Sequence, residues 1–220
     1  MPRAKVSVIL NSPSLRRFDR AAQPDRPFMA DGVLRLVYAG ALTPVYELDV
    51  VLRAVAALGV LRPGLPVELE IYGRGDAEAG LRDLANQLGI GPAVHFHGRI
   101  PIVAVPAAIA AADIGLAPTK SNRFTEMSLS TKLFEYGAME RPIVASALPL
   151  VERTFPAGAV FSYRPGDPDD LATVVLRLID EPERRTAGVA LAGARIAELG
   201  WDHEADRLMA LIDRLAGDRS

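Results

Sequence analysis

LRLVYAGALTPVYELDVVLRAVAALGVLRPGLPVELEIYG, residues 34–73, decides the fold. It opens on a short apolar run, LRLVYAG (34–40), that ends in glycine. Residues 47–60, ELDVVLRAVAALGV, then place apolar side chains at helical spacing. PVELEIYG (66–73) is a second short run that again ends in glycine. Two runs of strand length joined by a helix-period segment make a βαβ unit, in which the strands lie parallel.

The same alternation continues downstream. DAEAGLRDLANQLG (76–89) is an amphipathic helix with Asp76 near its start and Gly89 at its stop. AVHFHG (93–98) is a third strand, VAVPAAIAAAD (103–113) a helix with Pro106 in its first turn, and IGLAPT (114–119) a fourth strand. A helix over about 131–140 leads into PIVAS (142–146), and AVFSYRP (159–165) leads into DPDDLATVVLRLID (167–180). Helical segments over roughly 183–199 and 202–216 end the chain. The pattern predicts an α/β fold, a doubly wound parallel sheet of about six strands, Rossmann-like, with helices on both faces. VSVILN (6–11) reads as one more strand, followed by an irregular connection to about residue 32. The expected organisation is a junction strand and connection over 1–32, the Rossmann-like domain over 33–200 and a C-terminal helix over 201–220.

Composition narrows the function. A net charge of -2 gives no basic surplus for nucleic acid or anionic membrane. The absence of cysteine excludes disulfides, thiolate nucleophiles and Cys-based zinc sites, and fits a cytoplasmic protein. No stretch approaches the roughly 20 apolar residues that span a bilayer, and the N-terminus lacks the apolar core of a signal peptide. His95 and His97 stand at i, i+2 and share one face of a strand. No third ligand stands near them in the sequence, so no metal site is expected.

In a doubly wound sheet, ligands bind beyond the carboxyl ends of the strands, where loops meet helix N-termini. Four places qualify. Gly40 lets backbone approach a ligand closely, or simply permits a tight turn. Gly73-Arg74-Gly75 resembles a phosphate loop without the full G-x-G-x-x-G spacing, and a plain glycine turn with an exposed arginine serves equally. Gly98-Arg99-Ile100 sits in a sharp exit loop whose backbone suits a nucleobase edge; a bland strand-to-helix turn is the alternative. The richest place is SNRFTEMSLSTKLFEYGAMERPIVAS, residues 121–146. There Ser128, Ser130 or Thr131 can cap a helix whose N-terminus favours phosphate. Lys132 adds a positive charge, and Glu135, three residues on, can accept two hydrogen bonds from a ribose diol. The bland alternative is a surface Lys–Glu pair at i, i+3.

In their order along the chain, these pieces resemble the C-terminal half of retaining glycosyltransferases of group 1 (family 4), which have the GT-B fold. The resemblance is carried by VSVILNSPSLRRF, LVYAGALTPVYELDVVLRAV, LEIYGRGDAEAGLRDLANQLGI, VHFHGRIP, AADIGLAPT, KLFEYGAMERPIVAS, PGDPDDLATVVLRLI and the late Trp201-Asp202. It implies a domain that binds a nucleoside diphosphate sugar as substrate, with no cofactor. The Gly98–Ile100 loop would meet the base, Glu135 would hold the ribose as the second glutamate of E-x7-E, and the turn at 128–132 would lie along the diphosphate and sugar. The departures are Met127 where the first glutamate belongs, with Glu126 adjacent, and Ala41 and Tyr46 where the family often carries Arg and Lys. Ala147-Leu148-Pro149-Leu150 replaces a glycine pair. No general base is assigned.

The resemblance further implies an N-terminal acceptor domain or subunit that this sequence does not contain. It leaves room for peripheral membrane association through that half. The expected function is therefore sugar transfer from a nucleoside diphosphate to an acceptor with retention, catalytic only once that half is present. The alternatives are a non-catalytic, degenerate transferase-like module and an epimerase-type GT-B protein.

Overall fold

The computed structural model describes residues 6–217. Six strands form one parallel sheet: β1 Leu34–Ala39, β2 Val67–Tyr72, β3 Val94–Gly98, β4 Ile114–Ala117, β5 Ile143–Ser146 and β6 Phe161–Tyr163. Their spatial order is β3-β2-β1-β4-β5-β6. The chain winds outward in one direction from β1, then returns and winds outward in the other from β4. The doubly wound topology read from residues 34–73 onward is the one observed.

The helices are α1 Leu48–Leu61, α2 Glu78–Gln87, α3 Val105–Ala110, α4 Thr131–Ala138, α5 Pro149–Thr154, α6 Pro168–Asp180, α7 Pro182–Leu199 and α8 Trp201–Gly217. In α1, Leu48, Val51, Leu52, Val55 and Leu58 recur at three- and four-residue steps, and all are buried. They meet the buried face of α6, Leu171, Val174, Val175 and Leu178, over one side of the sheet. Helix α6 starts sharply because the Asp167 side chain accepts from the Asp170 N–H at 2.9 Å and Pro168 stands at its first position. The other side of the sheet is covered by α3, α4, α5 and α7 through Ile109, Phe134, Val151 and Ile196. Each fully buried Leu, Ile, Val or Phe contributes about 1.5–3 kcal/mol relative to leaving it in water.

Several boundaries differ from expectation. VSVILN forms no strand over its described residues 6–11. It pairs with neither edge strand of the sheet, β3 or β6. Instead the Leu10 N–H donates to Glu204 of α8 at 2.8 Å, and Arg207 donates to the Val8 carbonyl at 3.0 Å. The helix expected over 76–89 is shorter, Glu78–Gln87, with Asp76 two residues ahead of it. The helix expected over 103–113 is a 3-10 turn, Ile102–Ala104, followed by the short α3. Pro149 starts the unforeseen α5, where the sequence alone suggested a loop.

The connection to β1 is irregular, as expected, and it is tied down by a buried carboxylate. Asp113, fully buried just before β4, accepts from Arg26 at 2.6 Å and from the Met29 and Arg35 N–H groups at 2.7 Å each. These contacts lie at the amino ends of β1 and β4, opposite the rim where a ligand would sit.

Candidate functional site

The sheet opens where its winding reverses. β1 and β4 pair only at Leu36–Ile114 and Val37–Gly115. Beyond that point the Tyr136 hydroxyl fills the gap: it accepts from the Ala39 N–H at 3.1 Å and donates to the Leu116 carbonyl at 3.1 Å. The Tyr136 ring lies on Gly115, where an added Cβ would come within 2.3 Å of it. Tyr136 belongs to α4, so this contact plants the start of α4 at the topological switch point. Ser130 occupies the cap position there, but its side chain makes no capping hydrogen bond. The expected serine cap is thus positional only, and first-turn N–H groups of α4 keep their capacity for an anion.

Lys132, in that first turn, does not reach into solvent. Only 6% of it is exposed. Its stem crosses Gly40: a Cβ there would sit 2.5 Å from Lys132 Cε and 2.8 Å from Nζ. The ammonium lies 3.9 Å from the Tyr46 ring centroid and 5.0 Å from that of Tyr38. Burial pushes its pKa down to about 8, and the nearby Glu135 carboxylate opposes that shift. Glu135 is pushed up by its own burial, against Lys132 and a hydrogen bond from Thr131. The two groups are partly desolvated neighbours, a pairing that an i, i+3 surface reading does not anticipate.

The strand ends close the wall. The Gly40 N–H donates to the Tyr72 carbonyl and the Gly73 N–H to the Gly98 carbonyl, both at 2.8 Å. Gly73 has φ +143°, and a Cβ on it would fall 1.8 Å from the Gly40 carbonyl oxygen, so only glycine fits. The result is a cleft of about 450 Å³. Gly40, Gly73, Arg74, Arg99, Ile100, Thr131, Lys132 and Glu135 all line it. Gly98 stands behind it, against the Arg74 guanidinium. Ser130 faces a neighbouring cavity of about 210 Å³, bounded also by Tyr46, Thr119, Ser146 and Lys132. Lys132 is the partition between the two.

Among the described residues, Glu135 is the only carboxylate lining either space. Met127 is 76% exposed, and the adjacent Glu126 accepts from the Ser121 hydroxyl at 3.0 Å. The 3-10 turn Thr125–Met127 therefore brings no second carboxylate into the cleft. His95 and His97 share a face of β3, as their spacing predicts, and lie outside the cleft, where Glu68 and Glu70 of β2 come alongside them. Tyr38, Tyr46 and Tyr136 are the residues whose part the sequence did not disclose. An aromatic residue in an apolar segment carries no mark of what its hydroxyl or ring face will meet.

Residues 34–181 match the family described as glycosyl transferases group 1, and the chain belongs to that family. It is 32% identical over 184 residues to a D-inositol 3-phosphate glycosyltransferase of Thermomonospora curvata, covering 79% of this chain and 41% of that protein. It is 30% identical over 199 residues to its counterpart in Stackebrandtia nassauensis, covering 87% and 44%. The chain thus spans less than half the length of these relatives. Among solved structures, Anabaena HepE in complex with UDP and glucose superposes with a TM-score of 0.79 at 15% identity, over 94% of this chain and 57% of that one. A glycosyltransferase from Rickettsia africae gives 0.78 at 12% identity, over 98% and 59%. The Rossmann-like half of a GT-B glycosyltransferase is therefore the fold of this chain. Among the described residues no helix is long and apolar enough to cross a membrane.

Proposed function

We propose that this chain is the donor-binding part of a glycosyltransferase that moves a sugar from a nucleoside diphosphate to an acceptor with retention. The observation that carries the reading is the convergence at one switch point of an uncapped helix start, Lys132 and Glu135, walled by the glycine-bearing strand ends. The α4 amides and Lys132 bind and stabilise the diphosphate, which is the leaving group. Glu135 accepts the ribose hydroxyls. The loop Gly98-Arg99-Ile100 forms the far wall and takes the base. HepE, whose structure is described with UDP and glucose, supports a nucleotide-sugar donor. The D-inositol 3-phosphate glycosyltransferases support a small phosphorylated acceptor, for which a further domain or subunit provides the site. The proposed setting is cytoplasmic, with peripheral membrane contact only through that other part, and no resident cofactor.

One observation favours a second reading. Among the described residues the cleft holds a single carboxylate, and Glu126 is turned to Ser121, so a binding module that no longer transfers sugar has the same nucleotide wall.

Calorimetric titration with UDP, GDP and ADP, without divalent metal, tests the proposal. The expected result is binding of one diphosphate, lost in Lys132→Ala and in Glu135→Ala. Lys132→Ala should weaken the diphosphate more than the matching nucleoside; equal losses would sink the phosphate assignment. Turnover after joining to an acceptor domain separates the enzyme from the module.

A further inference from the structure

The face of β2 and β3 turned away from α2 is polar. Glu68 and Glu70 lie on it from β2, and His95 and His97 from β3. The register sets Glu70 beside His95. Alternation puts Glu68, Glu70 and His95 on one side, and His97, the extra residue at a register shift, is set on the same side by its contact with Glu70, while Leu69, Ile71 and Val94 point into the core beneath α2. The core on the polar side reaches β1 at Val37 and β2 only at Tyr72, so among the described residues nothing apolar covers this corner of the sheet.

A carboxylate oxygen of Glu68, one of Glu70 and a ring nitrogen of His95 all lie within 4.8 Å of one another. In a tetrahedral zinc site with bonds of about 2.0–2.1 Å, ligand atoms stand roughly 3.4 Å apart. Small side-chain rotations close that gap. The charges around them are unbalanced. Glu68 has Arg35, at 2.9 Å, but Arg35 also donates to both carboxylate oxygens of Asp31, at 2.8 and 2.6 Å. Glu70, with 18% of its side chain exposed, has no Arg or Lys among the described ion pairs, and its partner is His97 Nε2. His97 is in turn held by the Tyr72 ring, stacked on it at 4.4 Å with 12° between the planes. Two carboxylates one pleat apart repel, and a cation between them removes that cost.

We propose that Glu68, Glu70 and His95 form a binding site for a divalent transition-metal ion, zinc foremost, with His97 orienting Glu70 from outside the ligand set. Mixed imidazole and carboxylate ligands select zinc, cobalt or nickel over magnesium and calcium, which prefer all-oxygen sites. A histidine on a ligating carboxylate is a familiar outer-shell support. The neighbouring strand supplies the ligands that the sequence did not place near the histidine pair. The ion spans β2 and β3 at the sheet edge, so its role is a clamp on that pair; Tyr72, which holds His97, also lines the nucleotide cleft.

The test is titration of the untagged, metal-free full chain with zinc chloride. One ion per chain should bind, and the melting temperature should rise at about 100 µM zinc. Glu70→Gln and His95→Ala should each weaken binding by at least about tenfold, while His203→Ala, on α8, should leave it unchanged. Circular dichroism of the metal-free variants checks that each folds. Cobalt(II) should give visible absorption bands that His95→Ala abolishes. No binding at about 100 µM, or binding and cobalt bands that survive both Glu70→Gln and His95→Ala, would overturn the assignment.

Discussion

The Lys132 ammonium rests 3.9 Å from the centroid of the Tyr46 ring, roofed by one aromatic face and floored by the bare Cα of Gly40. The ring replaces water with a weaker electrostatic partner, so the charge is held ready for a stronger one. Substituting Tyr46 by Ala should readmit water and raise the Lys132 pKa from about 8 towards 10.5. An NMR titration of labelled lysine would show it; an unchanged pKa would mean that the ring is not what dries the site.

Lys132 should also destabilise the fold it serves. Its folded pKa lies below the unfolded value, so the unfolded chain binds the proton more tightly. The penalty is full below pH 8 and is relieved as pH rises from 8 to 10.5. At pH 7, the double substitution Lys132→Met with Glu135→Gln, which leaves no unpaired buried carboxylate, should therefore stabilise the chain by about 1–3 kcal/mol while removing diphosphate binding. In urea melts at stepped pH, that gain should shrink above pH 8. A destabilised variant at neutral pH would show that the ammonium's contacts with the rings and Glu135 outweigh its desolvation.

Two glycines one hydrogen-bonded step apart should fail differently. At Gly40 the obstacle is the far end of Lys132, which can swing away; at Gly73 it is the Gly40 carbonyl, which cannot. Gly40→Ala should keep near-native stability and lose diphosphate affinity. Gly73→Ala should cost upwards of about 2 kcal/mol, from steric clash and positive φ together. Thermal melts alongside nucleotide titration separate the two; matching stability losses would contradict the distinction.

Tyr136→Phe should test the wedge at the switch point. The hydroxyl pairs the Ala39 N–H and the Leu116 carbonyl, both buried, and its removal leaves both without a partner. The expected cost is about 1–3 kcal/mol in urea unfolding. Loss of nucleotide affinity should accompany it, because α4 is no longer anchored at the opening. A neutral substitution would mean that water enters and bridges the strands.

Asp113→Ala should destabilise by about 3–5 kcal/mol, the usual result of stripping a partner from a buried charge, here Arg26. Nucleotide titration at low temperature should be nearly unaffected, since Asp113 lies at the opposite end of the sheet. A selective loss of binding would place this clasp in communication with the rim.

The sequence by itself determined the winding of the fold. Short apolar runs alternating with 3.6-period segments leave few topologies that bury both kinds of element. It also determined the rim, because glycines at strand ends and a polar helix start with Lys132 and Glu135 are local chemical signals. The tertiary structure decided what those residues meet. VSVILN, apolar enough for a strand, found α8 in place of a sheet edge. Lys132, expected at a helix mouth, was drawn back under Tyr46. Glu68 and Glu70 reached His95 only through strand register. Periodicity reports which face a side chain takes. Which partner stands across that face depends on packing between segments far apart in the chain, and no local pattern encodes it.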